Sequence, residues 1–298
     1  MRALQVRELL PGHGGAGLAD LPIPAPGPGE VRVRVRAAGV NFPDLLMTSG
    51  GYQLKPELPF VSGLEFAGEV DAVGKGVADW NAGDAVVGGN RFGAMAEYAV
   101  VPAGALRAKP GGLSWEEAAA YPVAYLTAYV ALVRCARIEP GEWLLVHGAA
   151  GGVGLATVDL AKALGARVIA AASSAEKREA IARLYAPDAV IAAEPGFRDG
   201  VKALTEGKGA AVIFDPVGGD VFDESTRWRT KGRSGRTSMP RSTLPTGAKA
   251  LRCSSGARRW GRSCCGRDAL SDEIILRHRA VMSALGCPAN SPCEEDMT

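Results

Sequence analysis

The chain has 298 residues, 47% of them apolar, which is enough for two ordinary domains with separate cores. Its formal charge of +2 is too small to argue for a nucleic-acid or membrane-surface partner. No run of about eighteen apolar residues occurs, and the opening Met1–Glu8 segment is a mixed polar strand pattern rather than a signal peptide, so a soluble cytoplasmic protein is the default expectation.

The averages conceal a break. Residues 1–226 carry 20 basic and 26 acidic side chains, a net of −6, whereas residues 227–298 carry 14 basic and 6 acidic, a net of +8. Five of the six cysteines also lie in the second part, and only Cys135 precedes it. The two parts therefore require separate readings.

The first 110 residues read as β-rich. Residues 29–37 alternate Val with Arg or Glu, the pattern of a half-buried strand, and follow a Pro/Gly segment that suits neither helix nor central strand. Short strands are predicted over 68–73, 84–87 and 96–100, separated by glycine-rich turns, and together they suggest a small barrel-like domain. From about residue 115 the pattern alternates helix and strand. A helix is predicted over 115–132, a fully buried strand over 143–147 and a helix over 153–164. A strand at 167–171, a charged helix at 176–184 and strands at 189–191 and 210–215 complete the series. This spacing implies an α/β fold with a parallel, doubly wound sheet.

Beyond Thr226 the periodicity stops. Residues 227–267 contain no Val, Ile, Phe or Tyr, twelve basic residues and no acidic one. Such a stretch buries too little apolar area to offset an ordering entropy of about 1–2 kcal/mol per residue, so a largely disordered basic tail is expected over 227–298, with one helix within 269–286. A solvated segment is preferred to a nucleic-acid-binding extension. Arg/Gly/Ser/Cys richness with lost periodicity is also what a shifted reading frame in a GC-rich gene would produce.

The sharpest motif is His147-Gly148-Ala149-Ala150-Gly151-Gly152-Val153-Gly154, between a buried strand and a helix. Read as G-x-G-x-x-G, it has Ala149 in the first glycine place and Gly151 and Gly154 in the other two. The backbone of Ala150, Gly151, Gly152, Val153 and Gly154 would receive a pyrophosphate on a helix N-terminus. At the end of the second strand, where an acidic residue would bind the ribose of NAD, stand Ser173, Ser174, Lys177 and Arg178. Two hydroxyls and two cations suit a 2′-phosphate, so NADPH is the expected cofactor. Ser173 or Ser174 capping the next helix, with Lys177 and Arg178 on a solvated face, is the plain structural alternative.

Residues 142–156, with Ala161-Lys162-Ala163-Leu164-Gly165-Ala166 and Phe214-Asp215-Pro216-Val217-Gly218-Gly219, resemble the coenzyme domain of NADPH:quinone oxidoreductases, zinc-free members of the medium-chain dehydrogenase/reductase superfamily (zeta-crystallin-like). Gly39-Val40-Asn41-Phe42-Pro43-Asp44, Gly50-Gly51-Tyr52 and residues 59–68 resemble that family's GroES-like catalytic domain. The resemblance runs from Met1 to about Thr226. It implies a GroES-like substrate domain over 1–120 and a Rossmann NADPH-binding domain over 121–226, incomplete at the C-terminus. It places Asn41, Asp44 and Tyr52 beside the substrate and Thr127 against the nicotinamide carboxamide. Each has a structural alternative: a strand end, a helix cap, a core ring and an ordinary helix residue. Asn41 to Asp44 stand where zinc alcohol dehydrogenases place a cysteine, and Gly63-Leu64-Glu65 where they place Gly-His-Glu. Residues 80–115 contain no cysteine, so no metal is expected. The resemblance thus implies zinc-independent hydride transfer from NADPH to a quinone or α,β-unsaturated carbonyl; homodimers of the family often pair sheets edge to edge in the region replaced here, which leaves the oligomeric state open. If the replaced C-terminal region disables it, the chain becomes a non-catalytic NADPH-binding protein.

Overall fold

The computed structural model describes residues 1–226 and a short strand at 236–237. Apart from that strand, the tail expected over 227–298 lies outside the described residues. The described chain forms two compact units, Met1–Val123 and the residues from Ala124 onward.

The first unit is built from antiparallel strands. β1 (Arg2–Val6) pairs with β2 (Ala16–Asp20) and with β4 (Phe60–Val61). A five-stranded sheet runs in the order β7-β3-β5-β6-β8, from β3 (Glu30–Gly39), β5 (Glu65–Val73), β6 (Ala85–Gly89), β7 (Tyr98–Pro102) and β8 (Leu106–Ala108). The alternation read in β3 sorts its side chains. Val31 and Val33 are fully buried with Phe66, Val70, Val86, Val101 and Leu106. The intervening arginines bond across to β5, Arg32 to Asp71 at 2.6 Å and Arg36 to Glu69 at 2.7 Å. One helix, α1 (Phe42–Thr48), follows β3 directly.

Helix α2 (Trp115–Tyr129) continues through a π-helical turn to Ala136 and crosses the boundary between the units. By length and composition this 22-residue stretch could span a membrane. Its residues instead contribute to packed cores: Ala118 and Ala119 join Ala67, Val87 and Leu113, and the Tyr125 hydroxyl donates to Asp159 at 2.7 Å.

The second unit is a parallel sheet in the order β11-β10-β9-β12-β13. Its strands are β9 (Trp143–Val146), β10 (Arg167–Ala172), β11 (Ala189–Ala192), β12 (Val212–Phe214) and β13 (Arg236–Thr237). Between them come α3 (Gly152–Ala163), α4 (Ala175–Tyr185), α5 (Phe197–Leu204) and α6 (Gly219–Thr226). In order along the chain the strands lie 3-2-1-4-5, the Rossmann arrangement without its sixth strand among the described residues. Both faces are covered, and Leu145, Ile169 and Ala171 are fully buried against Phe197 and Val201 of α5. The sheet also gains β13, beyond the point where the periodicity stops.

Core and surface separate cleanly enough to test. Phe66 is 0% exposed and Leu18 75% exposed. Phe66→Ala should cost about 3–5 kcal/mol of stability in urea titrations, and Leu18→Ala should stay within about 0.5 kcal/mol.

Candidate functional site

The strand order reverses between β9 and β12, where Val146 lies beside Phe214. An open parallel sheet has its crevice at such a point, because the helices following the two strands leave on opposite faces. Two loops occupy it, one after each strand. Gly148 turns the chain with φ +59°, and a side chain there would stand 2.9 Å from Val217 of the other loop. The Gly151 amide donates to the Gly148 carbonyl at 3.0 Å and closes the turn. At Gly154 a methyl group would run into the backbone of Gly148 and Ala149, so α3 packs on the loop only with glycine there. Ala149, in the motif's first glycine place, has a fully buried methyl group and donates its amide to Ala171.

The outer side of this loop is open. Nothing lies within 4 Å of where a Gly152 side chain would stand, and at Gly151 only the Gly148 carbonyl comes near, at 3.5 Å. No side chain caps α3, and its first turn carries no acidic residue. The amides of a first helical turn have no acceptor within the helix, and they carry partial positive charge. The loop thus leaves the first-turn amides of α3 uncapped on its open side.

The turn after β10 brings together the four polar residues predicted there. Ser174 is the N-cap of α4 and accepts from the Lys177 amide at 3.3 Å. Arg178 folds back along the turn, donating to the carbonyls of Ala172 and Ser173 at 3.1 and 2.9 Å. Ser173 and Lys177 are exposed. The cap and the cationic cluster are thus features of the same turn.

In the first unit, Asn41 and Asp44 meet Glu65, which the motif reading used only to argue against zinc and gave no role at the site. Asn41 is the N-cap of α1 and Asp44 its third residue, and their side chains cap one another's amides. The Asn41 amide donates to Asp44 at 2.8 Å. Asn41 Nδ2 also donates to Glu65 Oε1 at 2.8 Å, and the Val123 amide donates to Glu65 Oε2 at 2.7 Å. Glu65 is 2% exposed and Asp44 3%. Burial pushes both carboxyls above their ordinary values; the Asn41 and Gly63 amides oppose this at Asp44. At Glu65 the Val123 amide and Asn41 oppose it, while the like charge of Asp44 reinforces it. The Val123 bond has a local cause. Pro122 sits inside α2, and a proline disturbs the helical ladder around it. The sequence signals for Glu65 are its place in Gly63-Leu64-Glu65, set against Gly-His-Glu, and a lone carboxylate within the apolar run from Leu64 to Gly68.

Tyr52 packs its ring, partly buried, against Val6, Met47 and Phe60, and its amide donates to the Leu46 carbonyl of α1 at 3.2 Å. Thr127 is half-buried on α2, two residues from Tyr125. Nearby, burial pushes the Tyr185 phenol up to about 12, helped by the charge of Asp159. Among the described residues no group of three or more His, Cys, Asp or Glu stands together as a metal site.

Known families fit this architecture. Residues 27–111 match the model of the alcohol dehydrogenase GroES-like domain, and residues 152–245 match that of the zinc-binding dehydrogenases. The second match continues past Thr226. Quinone oxidoreductase-like protein 2 homolog of Nematostella vectensis is 46% identical over 190 residues, 63% of this chain and 52% of that protein. The chain spans about half the length of the curated relatives it matches. A probable oxidoreductase from Mycobacterium abscessus superposes with TM-score 0.71 at 39% identity, covering 76% of this chain and 71% of that one. The quinone oxidoreductase of Thermus thermophilus, solved alone and with NADPH, superposes with TM-score 0.66 at 37% identity, over 75% of this chain and 69% of that one. The chain belongs to the medium-chain dehydrogenase/reductase superfamily and, within it, to the quinone oxidoreductase family.

The buried carboxyls make a signed prediction. Because their folded values are raised, the native state keeps protons that the unfolded chain has released. Their favourable contribution is present at acid pH and is lost as pH rises from the ordinary Glu value of 4.5 through the folded value. Glu65→Gln has no charge to bury. Urea midpoints measured across this window should fall less with pH in Glu65→Gln, the slopes differing by up to about 1.4 kcal/mol per pH unit. Parallel slopes would remove Glu65 from the account.

Proposed function

We propose that the protein is an NADPH-dependent oxidoreductase that acts on a quinone or an α,β-unsaturated carbonyl without zinc. The observation that carries this reading is the uncapped, open glycine loop at the sheet's reversal point, with Arg178 fixed on the neighbouring strand end. The residues suit the cofactor. Gly151, Gly152, Val153 and Gly154, with Ala150, would hold the pyrophosphate through main-chain amides, as a helix N-terminus does for anions generally. Ser173, Ser174, Lys177 and Arg178 would hold the 2′-phosphate. Arg178 bonds the carbonyls of Ala172 and Ser173, so its charge is already fixed at this turn. No acidic residue ends the second strand to favour an unphosphorylated ribose. The relative from Thermus thermophilus, solved with NADPH, supports the same assignment.

When bound, reduced nicotinamide supplies a hydride, which an electron-poor acceptor takes without a metal to polarise it. In this reading residues 1–120 form the substrate domain and 121–226 the coenzyme domain. Asn41 and Asp44 form the polar side of the acceptor pocket, Tyr52 contributes its ring and hydroxyl, and Thr127 holds the carboxamide. Glu65 keeps Asn41 Nδ2 turned away from the acceptor. Partners are then small molecules, with dimerisation as in the wider superfamily.

A second reading has the chain bind NADPH without turning it over. It rests on residues 227–298, whose composition departs from the rest and where the family match ends at 245. The two readings part in one experiment on the full chain. Fluorescence titration with NADPH, with NADH as control, should show tight binding, and NADPH should be oxidised by a quinone in chelator-treated buffer. Binding without oxidation favours the second reading, and no binding sinks both.

The cofactor preference yields its own test. Lys177→Ala with Arg178→Ala removes two charged donors, each contributing about 1.5–3 kcal/mol to an anion. NADPH affinity should fall about a hundredfold or more, and NADH affinity less than about threefold. Equal losses would contradict the 2′-phosphate assignment.

A further inference from the structure

Two N–H donors converge on one buried carboxylate in the first unit. Glu65 opens β5, and the strand register sets it opposite Gly39, the last residue of β3. A methyl group at Gly39 would run into the carboxylate, so the bare strand end makes room for it. Glu65 Oε1 accepts from Asn41 Nδ2 at 2.8 Å, and Oε2 accepts from the Val123 amide at 2.7 Å. The residue is 2% exposed, so water competes little for either oxygen.

This clamp has a fixed polarity. The Val123 amide can only donate, and it belongs to α2 beside Pro122, which lacks an N–H and disturbs the helical ladder. An ionised carboxylate can only accept. Asn41 must therefore present its NH2 group to Glu65, not its carbonyl oxygen. Turned over, the carboxamide would set an oxygen against Oε1 and exchange a hydrogen bond for repulsion. The backbone does not choose between these orientations, because the terminal torsion of an asparagine is broad and roughly two-fold. The main chain of Asn41 is pinned separately, its amide donating to Asp44 at 2.8 Å. The cap thus holds the backbone of Asn41, and Glu65 holds its side chain.

We propose that Glu65 is a positioning residue for the hydride-acceptor side of the reaction, setting the orientation of the Asn41 carboxamide with the α2 backbone as its anchor. It touches neither the hydride acceptor nor the cofactor. The inference rests on the acceptor pocket proposed for Asn41 and deepens it. Its physical content is preorganisation. A polar group already oriented before a ligand arrives loses little rotamer freedom on binding, and misplacing a group beside a reacting centre costs up to about a hundredfold in rate. Glutamine in place of Glu65 breaks the polarity and keeps the shape. The Val123 amide takes the one remaining oxygen, and Gln Nε2 then faces Asn41 Nδ2, donor against donor. Asn41 is released or turned over.

The test is a double-mutant cycle on the full chain: Glu65→Gln, Asn41→Ala and the two together. Oxidation of NADPH by a quinone and NADPH affinity by fluorescence are measured for each. Glu65→Gln should lower kcat/KM for the quinone about tenfold or more, while NADPH affinity changes less than about twofold. In the Asn41→Ala background the same substitution should cost less than about twofold, because a residue acting through Asn41 has nothing left to orient. Equal costs in both backgrounds, the mark of a merely structural role, overturn the proposal. Full activity in Glu65→Gln also overturns it, and either result leaves the proposed function intact. Side-chain 15N–1H spectra read the clamp without turnover. The Asn41 NH2 pair, identified by its loss in Asn41→Ala, should show one exchange-protected proton in the wild type and none in Glu65→Gln; an unprotected pair in the wild type counts against the clamp. If Glu65→Gln does not fold, Gly39→Ala, which displaces the carboxylate and leaves its partners in place, is read in the same way. A wild-type chain that oxidises no NADPH with a quinone sinks the proposed function and the positioning role with it.

Discussion

The second unit depends on how closely α3 approaches the strand it follows. The chain must leave β9, turn within a few residues and start a helix whose third residue lies against the loop's own backbone. Only glycine permits that contact at position 154. The turn itself uses the Ala149 and Gly151 amides, while no side chain caps the first turn of α3 and open space lies beside Gly152. Close packing and an uncapped helix start thus meet at one turn. The same constraint places the neighbouring loop after β12 against Gly148, so any change at one strand end is felt at the other.

The first unit solves a different problem. Two carboxylates, Asp44 and Glu65, are buried almost completely, and charge burial is expensive unless every lone pair is used. The chain meets part of that cost through a helix cap and a proline-disturbed helix, and leaves Asp44 Oδ1 buried without a partner. Asn41 serves the cap and Glu65 at once, and Pro122 leaves an amide next to it for Glu65 to accept from. Glu65 consequently ties three elements, β5, the start of α1 and the middle of α2.

Much of this was legible in the sequence, for identifiable reasons. In β3 the alternation of valine and arginine survives because one face is core and the other is a ladder of ion pairs. The parallel strands were legible as short apolar runs because both of their faces are covered. Helix α5 was not, since its sequence Phe-Arg-Asp-Gly-Val-Lys-Ala-Leu contains a glycine and buries little beyond Phe197 and Val201. The two-residue β4 is too short for any periodicity to show. Glu65 stayed hidden because its partners lie 24 and 58 residues away.

What the sequence determined by itself is the order of the elements, the glycine loop and the absence of an acidic residue at the end of β10, since each is a local pattern set by backbone sterics and burial. The tertiary structure decided which polar groups meet. Asn41 with Glu65 and Arg178 with the end of β10 are pairings of register and packing. Hydrogen bonds and charges act over a few ångströms in space, and one-dimensional spacing does not encode those distances.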